Sequence, residues 1–255
     1  MAHPTCRWCV VIVYHGTPIT PQDVCVSVLT GRHALCSFAH PGQVDIVASV
    51  TASFALDNGA FSAWRAGKPV TDWTDYYAWC ERWLAHPSCD WAIIPDVING
   101  DEAANRALVD EWPHGDRGVP VWHLNETLGQ LAWMAERFSR VAFGSSAEYD
   151  VQRSPDRCAN RLNEAFHALG FDAGRGPIKV HGLRFAGARW RRRPFASVDS
   201  TTVARNHGLD TVWRGSYLEH ATRRTRAEAI AESMERPLLP EADTSYELSL
   251  FGDAP

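Results

Sequence analysis

The chain has no apolar stretch long enough to cross a membrane, and its first residues lack the charged, apolar, small-residue succession of a secretory leader. A soluble, cytoplasmic protein with no membrane partner is the expectation. A disulfide framework is also missing. The seven cysteines (Cys6, Cys9, Cys25, Cys36, Cys80, Cys89 and Cys158) are scattered, as in a reducing compartment. Cys6 and Cys9 form a lone Cys-x-x-Cys pair with no second pair to complete a zinc site, so no metal or other cofactor is expected. Internal repeats and long linkers are absent too. That leaves 255 residues, 45% of them hydrophobic, to build one large core.

A net charge of −5 excludes a polycation, but the charge is uneven. Residues 184–226 carry ten arginines against only Asp199, Asp210 and Glu219. A local basic patch on an otherwise acidic chain can hold a phosphate backbone, with Arg184, Arg189, Arg191, Arg192 and Arg193 as its candidates. An ordinary solvated face laced with ion pairs has the same composition.

Short apolar, β-branched runs recur along the chain, at residues 9–14, 34–38, 53–56, 91–94, 119–122, 140–143, 178–180 and 195–198. Each has the length of a buried strand. Between them lie helical patterns. Residues 71–85 space Trp73, Tyr76, Tyr77, Cys80, Trp83 and Leu84 on one face, and residues 101–112, 127–138 and 155–169 repeat the arrangement. These aromatic stripes read as core packing. Strands alternating with helices imply parallel βαβ units, and eight of them suggest closure into a (β/α)8 TIM barrel, an α/β fold; an open doubly wound sheet is the alternative. The barrel domain is expected over residues 1–220. A charged helix at residues 223–234 and a partly disordered tail make up residues 221–255.

In a parallel barrel the working groups sit where strands end. Those positions hold His15-Gly16, His40, Asp57-Asn58-Gly59, Asp96, His123, Gly144-Ser145-Ser146, His181-Gly182 and Asp199-Ser200-Thr201. Asp57, Asp96 and Asp199 stand out, because carboxylates converging on one mouth can divide into nucleophile, acid/base and substrate-reading roles. Any one of them could instead cap a following helix. Gly144, Ser145 and Ser146 offer N–H groups and hydroxyls for a phosphate or a base edge. His15, His123, His181 and Asp199 also resemble the ligand set of a metal-dependent barrel hydrolase. A binding module that has kept the barrel without its chemistry is a third reading.

The order Leu56-Asp57-Asn58-Gly59-Ala60-Phe61, then Ile94-Pro95-Asp96, a Gly-Ser turn, His181-Gly182-Leu183, and Ser197-Val198-Asp199-Ser200-Thr201 resembles the tRNA-guanine transglycosylase (queuine tRNA-ribosyltransferase) superfamily. It is most similar to the phage and genomic-island members that place 7-deazaguanines into DNA. The resemblance covers roughly residues 10–206 and implies a (β/α)8 barrel enzyme, a pentosyltransferase that exchanges bases. It implies Asp199 as nucleophile on a guanosine nucleotide, Asp57 as general acid/base, and Asp96 as reader of the incoming 7-deazaguanine. Asn58, Phe61, Gly144, Ser145, Ser146, His181 and Gly182 would bind substrate around them, with Phe61 or Trp64 stacking on the base. The family's zinc-binding cysteine cluster after the barrel has no counterpart, since no cysteine follows Cys158; this turns the expected nucleic-acid partner from tRNA toward DNA. Finally, Tyr246, Glu247, Leu248, Ser249, Leu250 and Phe251 resemble the short C-terminal peptides by which bacterial DNA-handling proteins bind the sliding clamp, with contact expected through Leu248–Phe251.

Overall fold

The computed structural model describes residues 11–171 and 176–238. Its strands are β1 (Ile12–Gly16), β2 (His33–Ser37), β3 (Ser53–Asp57), β4 (Cys89–Ile93), β5 (Gly118–Val119), β6 (Val121–His123), β7 (Arg140–Gly144), β8 (Lys179–Leu183) and β9 (Ser197–Ser200). All pair in parallel, in the order β5-β4-β3-β2-β1-β9-β8-β7-β6, and the sheet curls into a nearly closed barrel. Helices alternate with the strands, as the sequence pattern predicts.

The one departure in strand count has a simple cause. Residues 119–122 read as one strand, but Pro120 has no N–H to give a ladder and divides the segment into β5 and β6. The two halves share one side of the barrel each. Ile94 donates to the carbonyl of Val119 at 2.9 Å and Ala142 to that of Pro120 at 2.9 Å, so residues 118–123 form the seam of the barrel.

Period-2 alternation sorts the side chains. Tyr14, Leu35, Ala55, Trp91, Ile93, Val119, Val121 and Ala142 fill the barrel interior. Their neighbours face the helices. Ala34, Cys36, Phe54, Leu56, Ala92 and Ile94 pack against α1 (Gln22–Leu29), α2 (Val44–Val50) and α4 (Thr74–Leu84). Val13, Trp122, Val141, Phe143, Val180 and Val198 pack against α6 (Leu128–Ala135) and α7 (Pro155–Ala168). The aromatic stripe of α4 is core, with Tyr76, Cys80, Trp83 and Leu84 buried. Each fully buried Leu, Ile or Phe contributes roughly 1.5–3 kcal/mol.

The expected C-terminal helix spans Arg223–Glu235; the remaining helices in order are α3 (Ala60–Arg65), α5 (Glu102–Glu111), α8 (Ala188–Arg191), α9 (Thr202–Asn206) and this last one, α10. It packs against the barrel. Ala227, Ile230 and Ala231 are buried in the same core as α1 and β2, and Glu235 reaches back to His15 and Arg32. Among the described residues no helix is long and apolar enough to cross a membrane. Cys6, Cys9 and the clamp-like segment 246–251 lie outside the described residues. Cys25, Cys36, Cys80, Cys89 and Cys158 are free thiols buried in the core.

Candidate active site at the barrel mouth

The alternation that packs the barrel also aims its end residues. Phe54 and Leu56 face the helices while Ala55 faces the interior, so Asp57, two residues beyond Ala55, points into the mouth. On β9, Val198 faces the helices, and Ser197 and Asp199 face inward. Asp57, Asp96 and Asp199 line one cavity of about 420 Å³, within the ~300–1,000 Å³ of small-molecule sites. Asn58, Phe61, His123, Gly144, Ser145, Leu183 and Arg184 line it too, together with His40, Thr201 and Arg205.

Each carboxylate is held differently. Asp57 accepts from the Ser37 hydroxyl at 2.9 Å and from the Gly59 N–H at 3.2 Å, both on Oδ2. Gly59 has φ +75°, and a β-carbon there would meet the Ala39 nitrogen at 2.9 Å, so this turn requires glycine. Burial pushes the Asp57 carboxyl up from its ordinary 3.8 to about 6; the charges of Asp199 and Asp96 push the same way, and the bonds from Ser37 and Gly59 oppose them. An acid poised near neutrality suits proton transfer in both directions.

Asp96 is 8% exposed and held at both oxygens. The Asn58 amide donates to Oδ1 at 2.8 Å, and His123 Nε2 lies 3.0 Å from Oδ2. Burial alone would lower the His123 pKa, but the hydrogen bond and charge of Asp96, helped by Glu126, outweigh it and raise it. A buried network braces this pair. Glu126 accepts from the His123 N–H at 3.0 Å and from Asn105 at 2.9 Å, and Asn105 accepts from the Val97 N–H at 2.8 Å. Each Asp96 oxygen keeps a further lone pair for a ligand N–H.

Asp199 is 5% exposed. Its Oδ1 accepts from the backbone N–H of Arg184 at 2.8 Å. Arg184 reaches that position in a left-handed conformation, φ +68°, which costs a non-glycine residue roughly 1–2 kcal/mol. Its guanidinium lies 5.2 Å from the centre of the Phe61 ring, and Phe61 is 41% exposed beside Trp64, at 5.9 Å between ring centres.

Comparisons with family models, with curated proteins and with solved structures return no match.

The geometry of the mouth gathers most of the residues singled out in the sequence and excludes some. Asp57, Asn58, Phe61, Asp96, Gly144, Ser145, Arg184 and Asp199 come together in the cavity. Ser146 does not line it, and its hydroxyl is buried without a hydrogen-bond partner among the described residues. Gly182 faces the helix layer, where a β-carbon would meet Phe185 at 2.9 Å and Phe195 at 3.0 Å. His181 lies one layer below the mouth, fully buried beneath Asp199. His15 faces outward, since its neighbour Tyr14 faces inward, and bonds Glu235 of α10 at 2.8 Å. The four-residue metal set of His15, His123, His181 and Asp199 is thus not brought together. Among the described residues no group of three or more His, Cys, Asp or Glu side chains is arranged to hold a metal ion.

The arginine run is also divided. Only Arg184 and, further on, Arg205 reach the cavity. Arg189 pairs with Asp156, Arg191 bonds the carbonyls of Ala186 and Arg236, and Arg193 bonds those of Arg189 and Ala159. Arg192 is half-buried beside them and has a partner of its own. These side chains brace α8 and the buried Trp190, with Arg189 and Arg193 over its ring. Sequence reasoning passed over Ser37, which holds Asp57, and Arg205. The signal for Ser37 was available: it stands in phase with Leu35 at the end of an apolar run.

Proposed function

We propose that the chain is a base-exchange transglycosylase that removes guanine from a nucleotide in nucleic acid, DNA before tRNA, and installs a 7-deazaguanine. The observation that carries this reading is a pair of unlike carboxylates in one cavity: Asp199 held by a backbone N–H, and Asp57 tuned to about 6. Two carboxyl groups in distinct environments are the requirement for double displacement at an anomeric carbon.

Asp199 attacks C1′ of the nucleotide as the C1′–N9 bond breaks. The bonding pair leaves with guanine, and protonated Asp57 supplies the proton that neutralises it. The result is a glycosyl ester on Asp199 and an Asp57 carboxylate. An incoming 7-deazaguanine gives its N9 proton to Asp57, its N9 attacks C1′, and the ester bond breaks. Asp96 offers acceptors to the paired N–H donors of a guanine-type edge, and its bonds to Asn58 and His123 fix its plane. Phe61 supplies an exposed face on which the base can stack, backed by the Arg184 guanidinium. A duplex substrate has to present its target base flipped out of the stack, since the carboxylates lie within the mouth.

The test is incubation of the protein with guanine-containing DNA or tRNA and a labelled 7-deazaguanine. Incorporation by the wild type, absent in Asp199→Ala, supports the reading. A covalent protein–nucleic acid adduct that Asp199→Asn cannot form supports it further. No incorporation into either nucleic acid refutes it.

A further inference from the structure

Beneath Asp199 lies a run of buried polar groups that the chemistry above does not use. His181 is fully buried, between the rings of Trp91 at 4.8 Å and Tyr14 at 5.8 Å. Its Nδ1 is 2.8 Å from the Ser197 hydroxyl, and its Nε2 is 3.4 Å from Asp199 Oδ1. Arg140, at the start of β7, donates from Nη1 to the same Ser197 oxygen at 3.1 Å.

The proton positions follow from what each group can do. A guanidinium only donates, so Ser197 Oγ accepts from Arg140. The single hydroxyl proton of Ser197 is then free to point at His181 Nδ1, which accepts it. The ring proton of a neutral imidazole therefore sits on Nε2, facing an acceptor-only carboxylate. The other tautomer would set the Nε2 lone pair against Asp199 and leave the Ser197 proton without an acceptor. Burial lowers the His181 pKa, with Asp199 opposing and Arg140 assisting, so the ring is neutral near pH 7. At 3.4 Å the Nε2 contact is electrostatic rather than a closed hydrogen bond, and Nε2 has no other partner among the described residues. A loose bond of this kind can tighten when substrate arrives.

We infer that half-buried Arg140 and the buried Ser197 and His181 form a positioning chain that anchors Asp199 by Oδ1 and leaves Oδ2 as the atom that forms the bond to C1′. Two donors converge on Oδ1, the Arg184 N–H from above and His181 Nε2 from below. Oδ2 accepts no hydrogen bond from the described residues, so its lone pairs are the ones available to a substrate. The identity of the attacking atom rests on the base-exchange reading; the chain itself does not.

The first measurement is 15N NMR of the full-length protein labelled at histidine, with the His181 signals assigned by their loss in His181→Gln. The expected result is a neutral ring protonated on Nε2 at pH 8, changed in Ser197→Ala. A ring protonated on Nδ1, or an imidazolium, overturns the chain. The second is steady-state base exchange. His181→Phe fills the space without a donor and should lower kcat by roughly 10- to 100-fold with KM little changed. His181→Gln returns an N–H to the Nε2 position and should recover most of that loss. Ser197→Ala, a smaller change, should lower kcat in the same sense. Wild-type kcat in both His181→Phe and Ser197→Ala overturns the inference. If wild type shows no exchange at all, the base-exchange reading and the attacking atom fall together, and the NMR result alone decides the chain.

Discussion

Replacing Asp57 by Asn should stabilise the protein at neutral pH while removing its activity. The carboxyl is raised from 3.8 to about 6 chiefly by burial, with Asp199 and Asp96 adding repulsion. At ~1.4 kcal/mol per tenfold change in proton affinity, that gap corresponds to a cost of ~3 kcal/mol for keeping the group charged in the fold. Asp57 keeps partial contact with solvent, so about 1–3 kcal/mol is the working range. Because the folded value lies above the unfolded one, the folded state binds the extra proton. The favourable contribution is complete below 3.8 and is lost as pH rises through about 6. Asn keeps an oxygen for Ser37 and Gly59 and carries no charge at any pH. Denaturant titration of wild type and Asp57→Asn should therefore give similar midpoints at pH 4, and a more stable variant at pH 8 by about 1–3 kcal/mol. Titrating groups away from Asp96 and Asp199 are common to both proteins and cancel in the difference. Base exchange by the variant should fall ~100- to 10,000-fold, the usual worth of a positioned acid/base. A stability difference that does not grow between pH 4 and pH 8, or a variant less stable throughout, refutes the assignment of burial and repulsion at this site.

Gly59→Ala places a β-carbon against the Ala39 nitrogen at a φ of +75°; a loss of roughly 1–2 kcal/mol is expected by thermal unfolding, with disturbed Asp57 chemistry. Phe143→Ala empties a fully buried site between β7 and α7 and should lower stability by about 3–5 kcal/mol in urea titration. Arg184→Ala and Arg205→Ala remove the two arginines that line the mouth among the described residues; DNA binding followed by fluorescence anisotropy should weaken, and the salt dependence should become shallower by about one ion per arginine. Arg189→Ala and Arg193→Ala, whose side chains brace α8, should leave that slope unchanged.

The alternation of apolar runs with helical stripes pointed to a parallel α/β fold, a closed barrel before an open doubly wound sheet, because side-chain periodicity of 2 or 3.6 is a local property that burial imposes on each element. The same logic put Asp57 and Asp199 at strand ends. What the sequence could not carry was phase across strands. His15 and Asp199 both stand near strand ends, yet His15 faces α10 and Asp199 the cavity, since adjacent residues on a strand point to opposite faces. The arginine run looked like one patch because composition counts charge without direction; packing around Trp190 occupies Arg189 and Arg193 and leaves Arg184 and Arg205 at the mouth. Pro120 was visible in the sequence, but its role as the seam needed both neighbouring strands in place. The partners that set the chemistry were likewise tertiary facts. Ser37 is 20 residues from Asp57, and Ser197 is 57 from Arg140. The residues at the mouth were legible because a strand end is a local feature. Their protonation and anchoring were decided only when closure of the barrel brought distant strands side by side.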